Sequence, residues 1–306
     1  GALPERIAVQ MSDATFEITR EQQRQSARAK QRRRVNDVLY SIGSHSTLIA
    51  MSAVFIFPLY LVFVVSVMSF DQASNAELWP NPFLWGNYVE VFTAVPFLKW
   101  TANTFFVSAM TMLGTVVSSV PPAYVLSHLQ WKGRQITFII ILATMMLPGQ
   151  VTMIPVYLIF SKLGWIPSFL PLIVPAFFSG AFSIFLLRQF FMQIPQDLED
   201  AAVMDGCGTF RFLWSIVVPL SRPALITVGL LNFLAAWNAF LWPLLVTRGA
   251  AMRPIQIGLS AFSTEAGVRY AELMAASTMV ILPTVIVFLV AQRYFIEGIT
   301  RTGLKG

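Results

Sequence analysis

Residues 194–223 read IPQDLEDAAVMDGCGTFRFLWSIVVPLSRP, the most polar interior part of an otherwise apolar chain. Four carboxylates, Asp197, Glu199, Asp200 and Asp205, cluster near its start. Gly206 and Gly208 follow, then an apolar run closed by Pro219 and Pro223. The carboxylates have no histidine–cysteine set and no glycine-rich phosphate loop at a useful spacing, so the stretch does not read as a catalytic pocket. It reads as a short acidic helix, a glycine turn, and a second short helix carrying Phe210, Phe212, Leu213 and Trp214. Two short helices joined at a glycine turn make a compact body suited to docking on a partner.

The chain around it is 56% hydrophobic and only 12% charged, with a mean hydropathy of +0.66. Soluble domains carry about 25% charged residues. The composition therefore requires an integral membrane protein. Long apolar runs separated by polar loops indicate helices and not a barrel of alternating strands. The net charge of +6 would suggest nucleic acid in a soluble domain. Here the cations flank apolar segments, which points to orientation in the membrane and to no nucleic-acid partner. The single cysteine, Cys207, excludes an internal disulfide, and two distant histidines, His45 and His128, make a metal site improbable. The first apolar run is too long and too far from the start for a cleavable signal peptide. Met11 offers a native start, which would leave residues 1–10 as an upstream extension or a remnant.

Six spans follow in order. A basic tail over 1–40 is expected in the cytoplasm, as a topological anchor or as a contact for anionic lipid. Spans are then read at 46–69, 100–127, 136–160, 168–188, 223–246 and 272–292. The third is interrupted at MLPGQVTMIP, where Pro148, Gly149 and Pro155 break the helix. Broken backbone at membrane depth is tolerated only where it is buried or lines a cavity. An inside N-terminus plus four spans places the 194–223 loop in the cytoplasm, and the C-terminal tail with it. The outer connection 247–271, with Arg248, Arg253, Glu265 and Arg269, is either a contact for an extracytoplasmic protein or a solvated connector.

The 194–223 stretch resembles the permease subunits of bacterial binding-protein-dependent ABC importers. Their cytoplasmic motif runs Glu-Ala-Ala, three residues, Gly, nine residues, Ile, one residue, Leu-Pro. Here Asp200-Ala201-Ala202 leads at the same spacing to Gly206, Ile216 and Val218-Pro219. Asp200 replaces the usual Glu, Val218 the usual Leu, and Cys207 stands where the family usually has Ala. The WGNYVEVF segment resembles the same family, and the WNAFLWPL run and the end Gly303-Leu304-Lys305-Gly306 are similar to its carbohydrate-uptake branch. The resemblance covers nearly the whole chain from the first span onward. It implies an all-α, six-helix integral membrane domain over 41–306, of the type I importer permease fold, in a bacterial inner membrane. It also implies a second permease subunit, two ATPase subunits and an extracytoplasmic solute-binding protein, with sugar as solute. ATP and Mg would be held by the ATPase subunits, since this chain has no GxxxxGK[ST] loop.

The resemblance assigns the docking of the ATPase to Glu199, Asp200, Ala201, Ala202, Asp205, Gly206, Phe210 and Pro219. Either Asp200 or Glu199 would meet a cation of the partner. Phe210, Phe212, Leu213 and Trp214 either fill the docking groove or pack under their own spans. Candidates for the solute pathway are Asn103, Gln150, Asn232, Trp237, Asn238 and Trp242. Amides pair with hydroxyls and an indole stacks on a sugar ring. The bland alternative for these residues is helix–helix contact and an interfacial tryptophan belt. The rivals from other classes are a stand-alone secondary transporter or channel, and an intramembrane enzyme acting on lipid. The nearly charge-free spans oppose the first, and the absence of a catalytic set opposes the second.

Overall fold

The computed structural model describes residue 37 and residues 40–303, without 76, 265 and 266. The expected basic tail falls outside the described residues, apart from residues 37 and 40. The chain divides into two units at residue 61. The first supplies most of α1 (Tyr40–Ser66), a strongly apolar helix. Its hydroxyls turn back on the helix: Thr47 donates to the Gly43 carbonyl at 2.9 Å and Ser44 to the Ser41 carbonyl at 3.0 Å. A helix that satisfies its own polar groups suits a bilayer.

The second unit holds α2 (Phe70–Ser74), α3 (Gly86–Ala94), α4 (Phe97–Ser127), α5 (Arg134–Thr144), α6 (Gly149–Lys162) and α7 (Leu170–Ile173). A 3-10 turn, Val174–Phe178, leads to α8 (Ala181–Phe191), then α9 (Gln196–Met204) and α10 (Thr209–Leu220), which has a π turn at Leu213–Val217. Next come α11 (Arg222–Trp237), α12 (Leu241–Val246), α13 (Ile255–Gly258) and a hairpin of β1 (Ser263–Thr264) and β2 (Gly267–Val268). The long α14 (Tyr270–Gly303) ends the described chain. Four helical segments are long and apolar enough to cross a membrane, or six if each bent pair is one span.

α4 is the axis of the second unit. Its 31 residues reach about 46 Å at 1.5 Å per residue. It packs on α8, α11 and the 174–178 turn. Small buried positions, Ser108, Gly114, Thr115 and Ser119, let these neighbours approach closely. A Cβ at Gly114 would lie 2.6 Å from the Phe177 ring, so only glycine fits that crossing. Pro121 and Pro122 lie inside α4 and remove the amides that would serve the Val117 and Ser118 carbonyls. The Ser179 hydroxyl takes over at Ser118. Two apolar cores mark the two ends of α4. One gathers Trp100, Val91, Ile255, Phe262 and Ala275; the other gathers Tyr124, Leu187, Phe191, Phe212 and Val217.

The expected break in the third span is present at Pro148: α5 and α6 meet at 92° across residues 145–148, whereas Pro155, also expected to break the span, lies inside the continuous α6. The fifth span was expected to run unbroken over 223–246. Instead α11 stops at Trp237, and α12 starts at Leu241. Pro243 falls in the first turn of α12, where no amide is needed, so the sequence breaks the helix just before it.

Candidate functional site

The 196–220 segment is a two-helix body built from its own sequence. Asp197 and Glu199 lie in the first turn of α9, where the helix dipole favours negative charge. Gly206 ends the helix at φ 74°. Its amide donates to the Val203 carbonyl at 3.0 Å, and the Cys207 amide to the Ala202 carbonyl at 2.8 Å. This is a Schellman motif, which turns the chain sharply into α10. Ala202 is buried in the core beneath, and Cys207 packs against the same core. Pro219 lies shortly before the 78° bend that separates α10 from α11.

The turn sorts the aromatic residues. Phe212 and Leu213 are buried under the spans, whereas Phe210 is 76% exposed and stands 6.2 Å from the half-exposed Trp214. Val203 and Met204, at the end of α9, are exposed as well, Met204 to 87%. An apolar patch of Met204, Val203 and Phe210 thus sits beside Asp197, Asp200, Asp205 and Arg211, all exposed. Exposed apolar residues ringed by charge mark a contact surface. Among the described residues Asp200 has no ion pair, and Ala201 is exposed next to it.

Glu199 is engaged within the chain. Its Oε1 accepts from the Tyr124 hydroxyl at 3.2 Å, and its Oε2 from the Gln196 amide at 3.2 Å. Tyr124 stacks on His128 at 5.0 Å, and both rings face Phe212. The Ser127 hydroxyl pairs with His128 Nδ1 at 2.9 Å. Burial pushes the His128 imidazole below its ordinary value of 6.5, and the Glu199 charge offsets part of that shift. Arg188 is buried beside this cluster: its Nε donates to the Leu126 carbonyl at 2.9 Å, and its guanidinium lies 4.0 Å over Phe138. Sequence reasoning missed Tyr124, His128 and Met204, and gave Arg188 no part in the site.

The pathway candidates separate into two groups. Gln150 and Trp242 meet across one cavity of about 320 Å³, with Gly149, Thr152, Met153 and Val156. The Trp242 indole is held by the Pro171 carbonyl at 3.2 Å. Asn238 is exposed, donating to the Leu234 carbonyl and accepting from Gln256 at 3.5 Å. The other three are structural in their contacts. Asn232 ties α11 to α8 through Ser183 at 3.1 Å. Trp237 is 1% exposed and stacks on Phe233. Asn103 donates to the carbonyls of Ala251 and Arg253 at 3.0 and 3.1 Å.

Residues 119–301 match the family described as the binding-protein-dependent transport system inner membrane component. The chain is 33% identical over 273 residues to the arabinooligosaccharide transport permease AraQ of Bacillus subtilis, covering 88% of this chain and 97% of AraQ. It is also 33% identical over 268 residues to the sn-glycerol-3-phosphate transport permease UgpE of Yersinia pestis, covering 84% and 95%. The crystal structure of a bacterial ABC transporter that imports the acidic polysaccharide alginate contains a similar chain. That chain has a TM-score of 0.75 and 28% identity, over 85% of this chain and 98% of its own. The protein belongs to the binding-protein-dependent ABC importer permeases: it is a transport subunit of the inner membrane, not an enzyme. A stand-alone transporter is thereby set aside. Membership implies an ATPase and a solute-binding protein as partners.

Proposed function

We propose that this chain is one of two permease subunits around a shared pathway for a sugar or sugar-like solute, driven by two ATPase subunits docked on the 196–220 body. The observation that carries the docking is the pairing of a free Asp200 with an exposed Met204–Phe210 patch on a rigid Schellman turn. Between the two open carboxylate candidates, the geometry favours Asp200, because Glu199 is spent on Tyr124. Gly206 shapes the turn, Ala202 seats it, and Ala201 leaves room beside Asp200. ATP and Mg are held by the ATPase subunits. The docking body and both termini face the cytoplasm, and the 247–271 connection faces the binding protein.

For the solute, the cavity between α6 and α12 supports Gln150 as a hydroxyl partner and Trp242 as a stacking surface, with Asn238 nearby in sequence. Two similar permeases serve arabinooligosaccharides and sn-glycerol 3-phosphate, and both solutes are rich in hydroxyls. Closure of the ATPase pair would move the docked body and switch the access of the cavity.

The test is co-purification from native membranes of wild type and an Asp200→Arg, Phe210→Ala double variant. Wild type brings down an ATPase and a second permease. The variant keeps the second permease and loses the ATPase. An ATPase retained at wild-type stoichiometry would show that the docking surface lies elsewhere.

A further inference from the structure

α4 is gripped at both ends by segments far from it in sequence. At one end, Tyr124 and His128 hold both halves of the 196–220 body. The Tyr124 hydroxyl holds α9 through Glu199, and the two rings hold α10 through Phe212. At the other end, three side chains fix the backbone of residues 250–255. The Trp100 indole N–H donates to the Ala250 carbonyl at 2.7 Å. The Asn103 amide donates to Ala251 and Arg253. The Thr104 hydroxyl accepts from the Ile255 amide at 2.7 Å. The Trp100 ring lies against the backbone of Gly258, which has no side chain to hold it off. From Thr104 to Tyr124 the helix spans about 30 Å.

We propose that α4 is a rod that carries displacement of the 196–220 body to the 250–258 segment on the opposite face. Tyr124 and Glu199 are its positioning residues at one end, and Trp100, Asn103 and Thr104 at the other. The inference rests on the coupling reading above. By the chain alone, the docked body is tied only to α8 and α11. Packing of α4 on its neighbours has no hydrophobic drive in lipid, so directional bonds carry more of its hold. Such bonds fix it at both ends and at Ser118, where it meets Ala176 and Ser179. The one weak point, at Pro121 and Pro122, is stitched to Ser179 at the Ser118 carbonyl. A rigid element bonded at both ends is the kind of carrier that long-range coupling needs, and only a coupling measurement establishes it.

The test uses the complex co-purified from native membranes, in lipid nanodiscs, with Mg-ATP and orthovanadate as the closing agent. Spin labels are placed by Ser260→Cys and Lys162→Cys in a Cys207→Ala background. Wild type is expected to change the label distance on vanadate trapping. Tyr124→Phe should lose at least half of that change while trapping as much nucleotide per complex. Glu199→Ala should match it, and the two together should lose no more than either alone. Glu199→Gln keeps an acceptor oxygen for the tyrosine and should retain most of the change. Asn103→Ala should lose it from the other end. A wild-type distance change in Tyr124→Phe, or none in wild type despite trapping, would overturn the rod. Absence of any co-purifying ATPase would instead sink the coupling reading. Should Tyr124→Phe fail to purify, Glu199→Ala, on the partly exposed α9, carries the test.

Discussion

The Ser179 hydroxyl donates to the Ser118 carbonyl at 2.6 Å, the carbonyl that Pro122 leaves without an amide. The bond is reciprocal, since the Ser179 amide donates to the Ser118 hydroxyl at 3.0 Å. Ser179 holds this position at φ 66° and ψ 151°, a region that favours glycine almost exclusively. The strain and the repair belong together: α4 accepts Pro122 because a neighbouring turn is bent to reach the carbonyl that Pro122 strands.

Replacing Ser179 separates the two terms. Ser179→Ala keeps the strain and loses the donor, leaving the carbonyl unsatisfied at a cost of about 1–3 kcal/mol. Ser179→Gly loses the same bond but relieves the backbone. In detergent melts Ser179→Ala should therefore lower Tm clearly, and Ser179→Gly should lower it less. Equal losses would mean that the backbone at residue 179 is not strained.

At Gly206 only the backbone is at stake. A Cβ there would meet nothing within 4 Å, yet φ is 74°. Gly206→Ala should cost about 1–2 kcal/mol through the left-handed conformation alone. Gly206→Asn, a residue that tolerates this region, should cost less. Both should weaken ATPase retention in that order when wash stringency is raised. Identical retention in all three chains would show that the turn does not set the docking geometry.

The two-helix body was legible in the sequence because its signals are local. The carboxylates mark a helix start, Gly206 marks a left-handed stop, and Pro148 and Gly149 mark the broken span. Phe210 and Phe212 could not be told apart as exposed and buried until the core beneath them was known. The grip of Tyr124 on Glu199 crosses 75 positions, and no spacing rule reaches that far. The same limit applied to the pathway. Asn103 and Asn232 are polar residues at membrane depth, and only their partners show that they are bound to backbone carbonyls and to Ser183. The break after Trp237 was legible in principle, through Pro243, but the strong apolar run around it masked the signal.

His128 makes the cluster at the end of α4 sensitive to pH. Burial between Tyr124 and Phe212 holds its pKa below 6.5, against a smaller opposing pull from Glu199. Above pH 6.5 the imidazole is neutral in both folded and unfolded chains, and its contribution is fully present. Below 6.5 the unfolded chain binds a proton that the folded chain refuses, so stability falls until the pH passes the lowered folded value. Wild type should thus lose Tm as the pH is lowered through 6.5. His128→Gln, which keeps a polar group beside Ser127 without titrating, should flatten that part of the slope. The carboxylates contribute their own acid sensitivity to both proteins, so the difference between the two curves is the quantity to read. Parallel curves would mean that His128 takes up its proton in the folded protein as readily as in the unfolded chain.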